Sequence, residues 1–256
     1  YPMWSELFLV HFLTGLLLAV VLPLLGCYLR LRDEWLAALA YAHVTAAGAL
    51  AAQVGGVPAV SGGLLAAALA GIGKHFAATR LAGGAAYALL MLGGWSAAVL
   101  LAANQPLAER LAQALFDGQL YFVDRAQLWL VCGATLLSLV VLRILSGRLL
   151  LARLYPDLFR LRGLPDWPVR FGFDLLAAVM LALATMSLGV MAAFALLFVP
   201  PWLAFRRARS WRWGLAGSLF FSVLAYCAAF ALALLLDQPF GPVLALLLVL
   251  LGVAFA

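Results

Sequence analysis

Apolar runs of membrane-spanning length fill almost the whole chain and decide what it can fold into. Of the 256 residues, 67% are hydrophobic and only 10% are charged, with a mean hydropathy of +1.11, far outside the usage of soluble domains. A helix needs about 20 mostly apolar residues to cross a bilayer, because its backbone polar groups must be satisfied internally in hydrocarbon. The sequence therefore predicts an all-α, polytopic membrane protein. Nine candidate spans are predicted: Glu6 to Leu29, Trp35 to Gln53, Pro58 to Phe76, Leu81 to Ala103, Gln127 to Leu145, Phe171 to Ser187, Leu188 to Phe205, Trp213 to Leu236 and Pro242 to Ala256.

The number of spans depends on the stretch from Phe171 to Phe205. Only Gly189 interrupts this apolar run, so one half of it is either a full span or a re-entrant or tilted helix. The sequence alone therefore leaves eight and nine spans open.

The distribution of the basic residues predicts the orientation in the membrane. Cytoplasmic loops are enriched in Lys and Arg, and alternating the nine spans puts Arg110 and Arg125 on one side and the other fourteen of the sixteen basic residues on the opposite side. That side is predicted to be cytoplasmic, which places the N-terminus outside. The net charge of +6 is thus explained by topology, and a nucleic-acid partner, which would need a basic soluble surface, is not expected. The fourteen are Arg30, Arg32, Lys74, Arg80, Arg143, Arg148, Arg153, Arg160, Arg162, Arg170, Arg206, Arg207, Arg209 and Arg212.

The longest break between the apolar runs extends from Ser146 to Arg170, and the sequence predicts a short helix inside it. Pro156 suits the first helical position and Asp157 suits the positive end of the helix dipole. Gly163 suits the position just after the last turn, and Pro165 prevents continuation. The break is therefore predicted to contain a helix of about two turns.

This short helix has two unlike faces. Leu154, Leu158 and Leu161 share one face at i, i+4, i+7 spacing, whereas Arg160 and Arg162 point elsewhere. Two interpretations follow from the residues: an amphipathic helix that rests on anionic lipid headgroups, or a rigid contact element that docks into a soluble protein beneath the membrane.

Four segments of the chain form recognisable motifs. They are the stretch LFDGQL at 115–120, Tyr155-Pro-Asp-Leu-x-x-x-x-Gly163, the run from Gly189 through Leu197 and Pro200 to Ala204 and Arg206-Arg207, and DQPFGP at 237–242. In the same order, these motifs resemble the permease subunits of bacterial ABC importers for divalent metal ions, the zinc/manganese/iron family. The resemblance runs almost from end to end.

The resemblance implies a fold, an assembly and a set of partners. It implies an ABC metal-importer permease fold of eight or nine transmembrane helices in the bacterial cytoplasmic (inner) membrane, acting as a homodimer. It also implies a separate ATP-binding cassette ATPase and an extracytoplasmic metal-binding protein as partners. This chain has no Gly-x-x-x-x-Gly-Lys-Ser/Thr loop for nucleotide phosphates, so ATP and Mg are expected on the ATPase, and the chain itself is expected to be a non-catalytic permease. The ATPase-coupling residues that the resemblance implies are Tyr155, Pro156, Asp157, Leu158, Arg160, Arg162 and Gly163.

The cargo that the resemblance implies is a divalent transition-metal ion, zinc or manganese, and the predicted pathway residue is His43. The family carries Gly-Asp-x-x-x-His in the second span, and here the histidine is kept as His43 while Ala38 and Leu39 replace the Gly-Asp pair. An imidazole in mid-membrane is a functional hypothesis by default. His43 is therefore either a transient metal ligand, partnered by His43 of a second subunit or by Tyr41, Thr45 or Tyr87, or a neutral donor to a neighbouring helix.

The remaining polar residues of the spans are weaker candidates. His11 is predicted to be a helix-contact donor or a second pathway residue, and His75 an interfacial residue. Lys74 is expected to reach the cytoplasmic interface, and Asp174 to pair with Arg170 one turn earlier. Because Leu39 replaces the family's Asp, the same machinery with another cargo, such as another metal or a metal chelate, stays open, as does a non-transporting membrane scaffold.

Overall fold

The structure, a computed structural model, describes residues 2–77, 83–118, 120–155 and 167–255. These ranges contain ten α-helices, one short 3-10 helix and no strand, which confirms the all-α prediction. The α-helices are α1 (Pro2–Arg32), α2 (Leu36–Val54), α3 (Ala59–Ala77), α4 (Gly83–Asn104), α5 (Pro106–Asp117), α6 (Arg125–Leu154), α7 (Trp167–Leu188), α8 (Val190–Arg207), α9 (Trp211–Leu236) and α10 (Phe240–Ala254).

Seven of these helices are long and apolar enough to cross a membrane: α1, α2, α4, α6, α7, α8 and α9. The stretches Ala59–Lys74 of α3 and Phe240–Ala254 of α10 are apolar but shorter. Each of the nine predicted spans thus corresponds to a helix, and in two of these helices, α3 and α10, the apolar stretch is shorter than in the other seven.

The apolar stretch from Phe171 to Phe205, in which the sequence left the number of spans open, forms two separate helices. α7 ends at Leu188 and α8 begins at Val190. Gly189 between them has a φ of 91°, a conformation that glycine adopts without the steric cost of a Cβ atom. Both helices have most of their residues buried, so both belong to the core of the bundle.

The break predicted to start at Ser146 starts later in the structure. α6 continues without interruption to Leu154, and the Tyr28 hydroxyl donates to Ser146 Oγ at 2.7 Å, which places Ser146 against α1. With 30 residues, α6 is about 45 Å long at about 1.5 Å per residue, against about 30 Å of hydrocarbon. The helix is therefore longer than the hydrocarbon core is thick, and the connection to α7 is only 155–166.

One helix was not predicted from the sequence. The residues between the fourth and fifth predicted spans form α5, a 12-residue amphipathic helix with Pro106 in its first turn. Its apolar side, with Ala108, Ala112 and Leu115 buried, packs against α2, α4, α7, α8 and α10. α5 therefore belongs to the helix bundle and is not a surface loop.

The core lies around α1, α2, α7 and α8. Most of the fully buried leucine and alanine side chains belong to these helices, whereas α4, α6 and α9 present many large apolar side chains outward. In a membrane protein such faces suit lipid or another subunit. The buried helices bring together the polar residues of the candidate site.

Candidate functional site

His43 lies in α2 and is only 6% exposed. Its Nδ1 is 2.8 Å from the carbonyl oxygen of Leu39, one turn earlier in the same helix. Because a carbonyl can only accept a hydrogen bond, Nδ1 carries the proton in the neutral ring and Nε2 carries a lone pair. The second nitrogen is therefore in the state that binds a metal ion.

The surroundings of His43 leave this second nitrogen available. The ring of Phe116 in α5 lies 6.2 Å from the imidazole, centroid to centroid. α4 packs directly on the backbone of His43, since a Cβ added at Gly94 would meet the His43 carbonyl carbon at 2.7 Å. Within the described residues Nε2 makes no hydrogen bond. The predicted donation to a neighbouring helix is not observed, because the bond is made to the helix that carries the histidine.

Tyr41 and Thr45 do not lie with His43. Residues two apart on a helix point about 200° away from each other, whereas residues four apart share a face. The Thr45 hydroxyl donates to the carbonyl of Tyr41 at 2.7 Å, and the Tyr41 ring meets that of Tyr87 edge to face at 6.0 Å. The predicted pathway residues therefore separate into His43 on one face of α2 and Tyr41, Thr45 and Tyr87 on the other.

The Tyr41 face leads to a closed ring of four charged side chains that the sequence did not reveal. Arg32 contacts Glu34 at 2.7 Å and Asp174 at 2.8 Å, and Lys74 contacts the same two carboxylates at 3.4 Å and 2.6 Å. We refer to Arg32, Glu34, Lys74 and Asp174 as the ion-pair ring. Its formal charge is zero, and its members come from the end of α1, the α1–α2 turn, the end of α3 and the start of α7.

Aromatic rings surround the ion-pair ring. The Tyr87 hydroxyl donates to Glu34 at 3.3 Å, the Lys74 ammonium lies 5.1 Å from the centre of the Tyr87 ring, and the Arg32 guanidinium lies 5.2 Å from that of Phe173. Such contacts attract a desolvated cation to the ring face. The side chains of Lys74 and Asp174 are 10% and 5% exposed, so this half of the ring is held inside the bundle, whereas Arg32 and Glu34, 12% and 21% exposed, border a cleft.

Two predictions about these residues are wrong. Lys74 does not extend to the interface but is buried against Asp174, and the carboxylate of Asp174 is engaged by Arg32 and Lys74, from two other helices, where the sequence indicated Arg170. The i+4 rule finds only local partners. The sequence did contain a signal for these partners. An unpaired charge in a buried helix is costly, so Asp174 in an apolar helix requires nearby cations, and these can come from any neighbouring helix.

His11 belongs to a different part of the molecule. It is 6% exposed, and its ring lies 6.4 Å from that of Tyr121 in the 3-10 helix. Both line a cavity of about 340 Å³ together with Asp237. Burial and the nearby Asp237 carboxylate raise the pKa of Tyr121. His11 therefore has its own polar neighbours, separate from those of His43.

The described side chains contain no group of three or more His, Cys, Asp and Glu residues that could chelate a metal ion. A conducting pathway needs sites that bind weakly enough to release the ion, and a single imidazole per chain is of that kind. Of the predicted coupling residues, only Tyr155 is described; it follows α6 and is 59% exposed. Pro156, Asp157, Leu158, Arg160, Arg162 and Gly163 lie outside the described residues, as does the side chain of His75.

The bundle of apolar helices, seven of them long enough to cross a membrane, defines a multi-pass membrane protein with polar residues buried in its core. The profile of the ABC 3 transport family matches residues 5–256, and the chain belongs to that family. A comparison with curated protein sequences finds no match.

Two solved structures have the same fold. PsaBC from Streptococcus pneumoniae, in complex with Fab, matches with a TM-score of 0.84 and 17% identity over 97% of this chain and 90% of that one. A protein described as a metal-chelate type ABC transporter, in an inward-facing conformation, matches with a TM-score of 0.74 and 20% identity over 99% of this chain and 88% of that one. At these identities the likeness establishes the fold.

Proposed function

We propose that this chain is the permease subunit of an ABC importer that moves a divalent transition-metal ion, zinc or manganese, into the bacterial cytoplasm. The observation that carries the proposal is the buried His43, whose Nδ1–H bond to Leu39 leaves Nε2 as a free ligand. An imidazole nitrogen of this kind suits zinc and other transition metals. Membership of the ABC 3 transport family supports a transport role.

The proposal includes an assembly. Two copies of the chain form the permease, a separate ATPase binds ATP and Mg on the cytoplasmic side, and an external binding protein delivers the metal. The absence of a phosphate-binding loop from the sequence supports a separate source of ATP hydrolysis. The segment from Tyr155 to Gly163, which follows the C-terminal end of α6, is proposed as the contact with that ATPase.

A metal chelate is the second candidate cargo. Leu39 replaces the aspartate of the related permeases, so His43 has no carboxylate on its own helix, and one structure with the same fold is described as a metal-chelate type transporter. A chelate brings its own ligands and needs less from the protein. The two cargoes can be distinguished by competition: free metal ion should compete for uptake if the ion itself is the cargo, and should not compete if the cargo is a chelate.

Cellular metal content tests the proposal. Cells with and without the transporter are compared by mass spectrometry of their metals, together with His43→Ala and His43→Gln. We expect more zinc or manganese with the wild-type transporter and loss of that gain in both variants, because neither side chain supplies the imidazole nitrogen. Ser138→Ala is the matched control, because it removes another buried polar group that bonds the carbonyl four residues earlier in its own helix and that has no predicted role in the pathway. Equal metal content in all the strains would refute the metal proposal.

A further inference from the structure

A cavity of about 440 Å³ lies between the C-terminal half of α4 and the helix α5. α3 ends beside the ion-pair ring and α4 starts soon after it, so the end of α4 at Asn104 lies at the opposite, outer end of the bundle. The cavity therefore opens toward the side that the basic residues predict to be external. It is lined by Ala98, Val99, Ala102, Ala103, Glu109, Ala112, Gln113, Phe116 and Asp117.

Two carboxylates, Glu109 and Asp117, provide all the charge of this cavity. Both are exposed, and neither makes an ion pair with any side chain that the structure describes. The rest of the lining is apolar apart from Gln113. A cleft with charge of one sign and walls of low dielectric constant concentrates counter-ions, so this cavity attracts cations.

The inner side of the cavity leads to His43. Phe116 lines the cavity and also faces the imidazole, with 6.2 Å between the two ring centres. His43 is more than nine-tenths buried, and its Nε2 has no hydrogen-bond partner among the described residues. The ring of Phe116 thus lies between the cavity lining and the imidazole of His43.

The position of Phe116 is fixed by the packing of α5. The helix ends at Asp117, and Gly118, with a φ of 93°, turns the chain against the backbone of Leu188. The preceding side chain, Leu115, is fully buried. The end of α5 is therefore anchored at the α7–α8 junction, while the ring of Phe116 is half-buried between the cavity and His43.

We propose that the α4–α5 cavity is the outer vestibule for a divalent cation. Glu109 and Asp117 collect the cation from outside, and Phe116 separates the vestibule from Nε2 of His43. This inference rests on the proposed function and assigns to it the route by which the cation reaches the imidazole.

Metal uptake by the assembled transporter tests the vestibule with Mn²⁺ and Zn²⁺ supplied separately. Replacing both carboxylates, Glu109→Gln with Asp117→Asn, should lower uptake at low metal concentration on the order of ten-fold. The charge-preserving pair Glu109→Asp with Asp117→Glu should keep most of the uptake. Asp237→Asn is the matched control: it removes a carboxylate from the same end of the bundle, outside this cavity, and asparagine tolerates the left-handed conformation of that residue.

Phe116→Ala tests the separation of the vestibule from His43. Opening this barrier should produce metal uptake that persists when the partner ATPase is inactive, whereas the wild type should show none. All amounts are normalised to the permease present in the membrane fraction.

The outcomes distinguish the vestibule from the proposed function. Metal uptake that depends on His43 supports the proposed function by itself. When uptake depends on His43, two results show that the vestibule assignment is wrong. One is that the doubly neutralised variant transports like the wild type. The other is that the charge-preserving pair is as defective as the neutralised pair. If the wild type takes up neither metal, the proposed function fails first.

Discussion

Replacing Lys74 by methionine should destabilise the protein strongly, because it breaks the ion-pair ring on two sides. Methionine keeps an unbranched, apolar side chain as far as the position of Cε and carries no ammonium group. Asp174 and Glu34 lose their contacts to Lys74 at 2.6 Å and 3.4 Å and must share Arg32. The ring changes from neutral to a formal charge of −1 inside the bundle.

The magnitude follows from burial. Removing one partner of a buried pair costs about 3–5 kcal/mol, mostly because the remaining charge is left uncompensated. Lys74 and Asp174 are at most 10% exposed and Glu34 is 21% exposed, so water screens little of this cost. At about 2–4 °C per kcal/mol for a chain of this size, the midpoint of thermal unfolding should fall by roughly 6–20 °C.

A double variant separates lost charge balance from lost packing. Adding Asp174→Asn to Lys74→Met leaves Arg32 with Glu34 alone, which restores neutrality. The two changes should therefore be non-additive by about 1–3 kcal/mol, in the direction of rescue. The exposed Arg148 on α6, which does not line the cleft beside Arg32 and Glu34, provides the control, since Arg148→Met should change stability by less than about 0.5 kcal/mol.

The assay is thermal unfolding of the purified permease in one detergent, followed by tryptophan fluorescence, for the wild type, both single ring variants, the double variant and the control. A shift below about 2 °C for Lys74→Met, which is under 1 kcal/mol on the same scale, or strictly additive effects in the double variant, would refute the assignment of the ring as a coupled buried network.

Two further changes have defined outcomes. Gly118→Ala should cost more than about 2 kcal/mol of stability, because the residue has a φ of 93° and an added Cβ would clash with the Leu188 carbonyl. The control is Gly133→Ala in α6, where nothing lies within 4 Å and the change should be neutral or stabilising by up to about 1 kcal/mol. Equal effects of the two variants on thermal unfolding would contradict this prediction. Gly163→Val or Asp157→Arg should reduce transport per ATP hydrolysed while membrane insertion stays normal, because the predicted coupling helix loses its C-terminal or N-terminal stabilisation. Transport and ATP hydrolysis are measured on the same preparation. An unchanged ratio of the two would exclude the coupling role.

The sequence predicted the helices well where the membrane dictates them. All nine predicted spans have a helix, since apolar runs of about 20 residues have no alternative in hydrocarbon. The error at Ser146 arose because Arg148 and Arg153 lower the hydropathy of the last turns of α6 while leaving the helix intact. Hydropathy reports where a membrane ends, and a helix can continue beyond it.

The helix α5 was missed because a short amphipathic helix does not stand out by hydropathy. The signals were present in the sequence: Pro106 in the first turn, Leu107, Leu111 and Leu115 at i, i+4, i+8 spacing, and Gly118 directly after the end. A search for helical periodicity, separate from the search for spans, would have found it.

The candidate site was predicted in part. The sequence indicates His43 as a candidate because a polar imidazole is energetically costly in an apolar helix. The structure places it beside Phe116 with one nitrogen free. Its grouping with Tyr41 could have been rejected from helical geometry alone, since i and i+2 face opposite ways. The ion-pair ring could not be deduced from spacing, because Arg32, Lys74 and Asp174 come from three helices that only the tertiary packing brings together.

Reconstitution of the assembled transporter in proteoliposomes tests the central claim most directly. With ATP available to the ATPase and the binding protein loaded with Zn²⁺ or Mn²⁺ on the opposite side, the account predicts ATP-dependent movement of one of these metals across the membrane toward the ATPase side and its loss in His43→Gln. ATP hydrolysis that moves neither metal, or transport of the metal that is unaffected by His43→Gln, would contradict it.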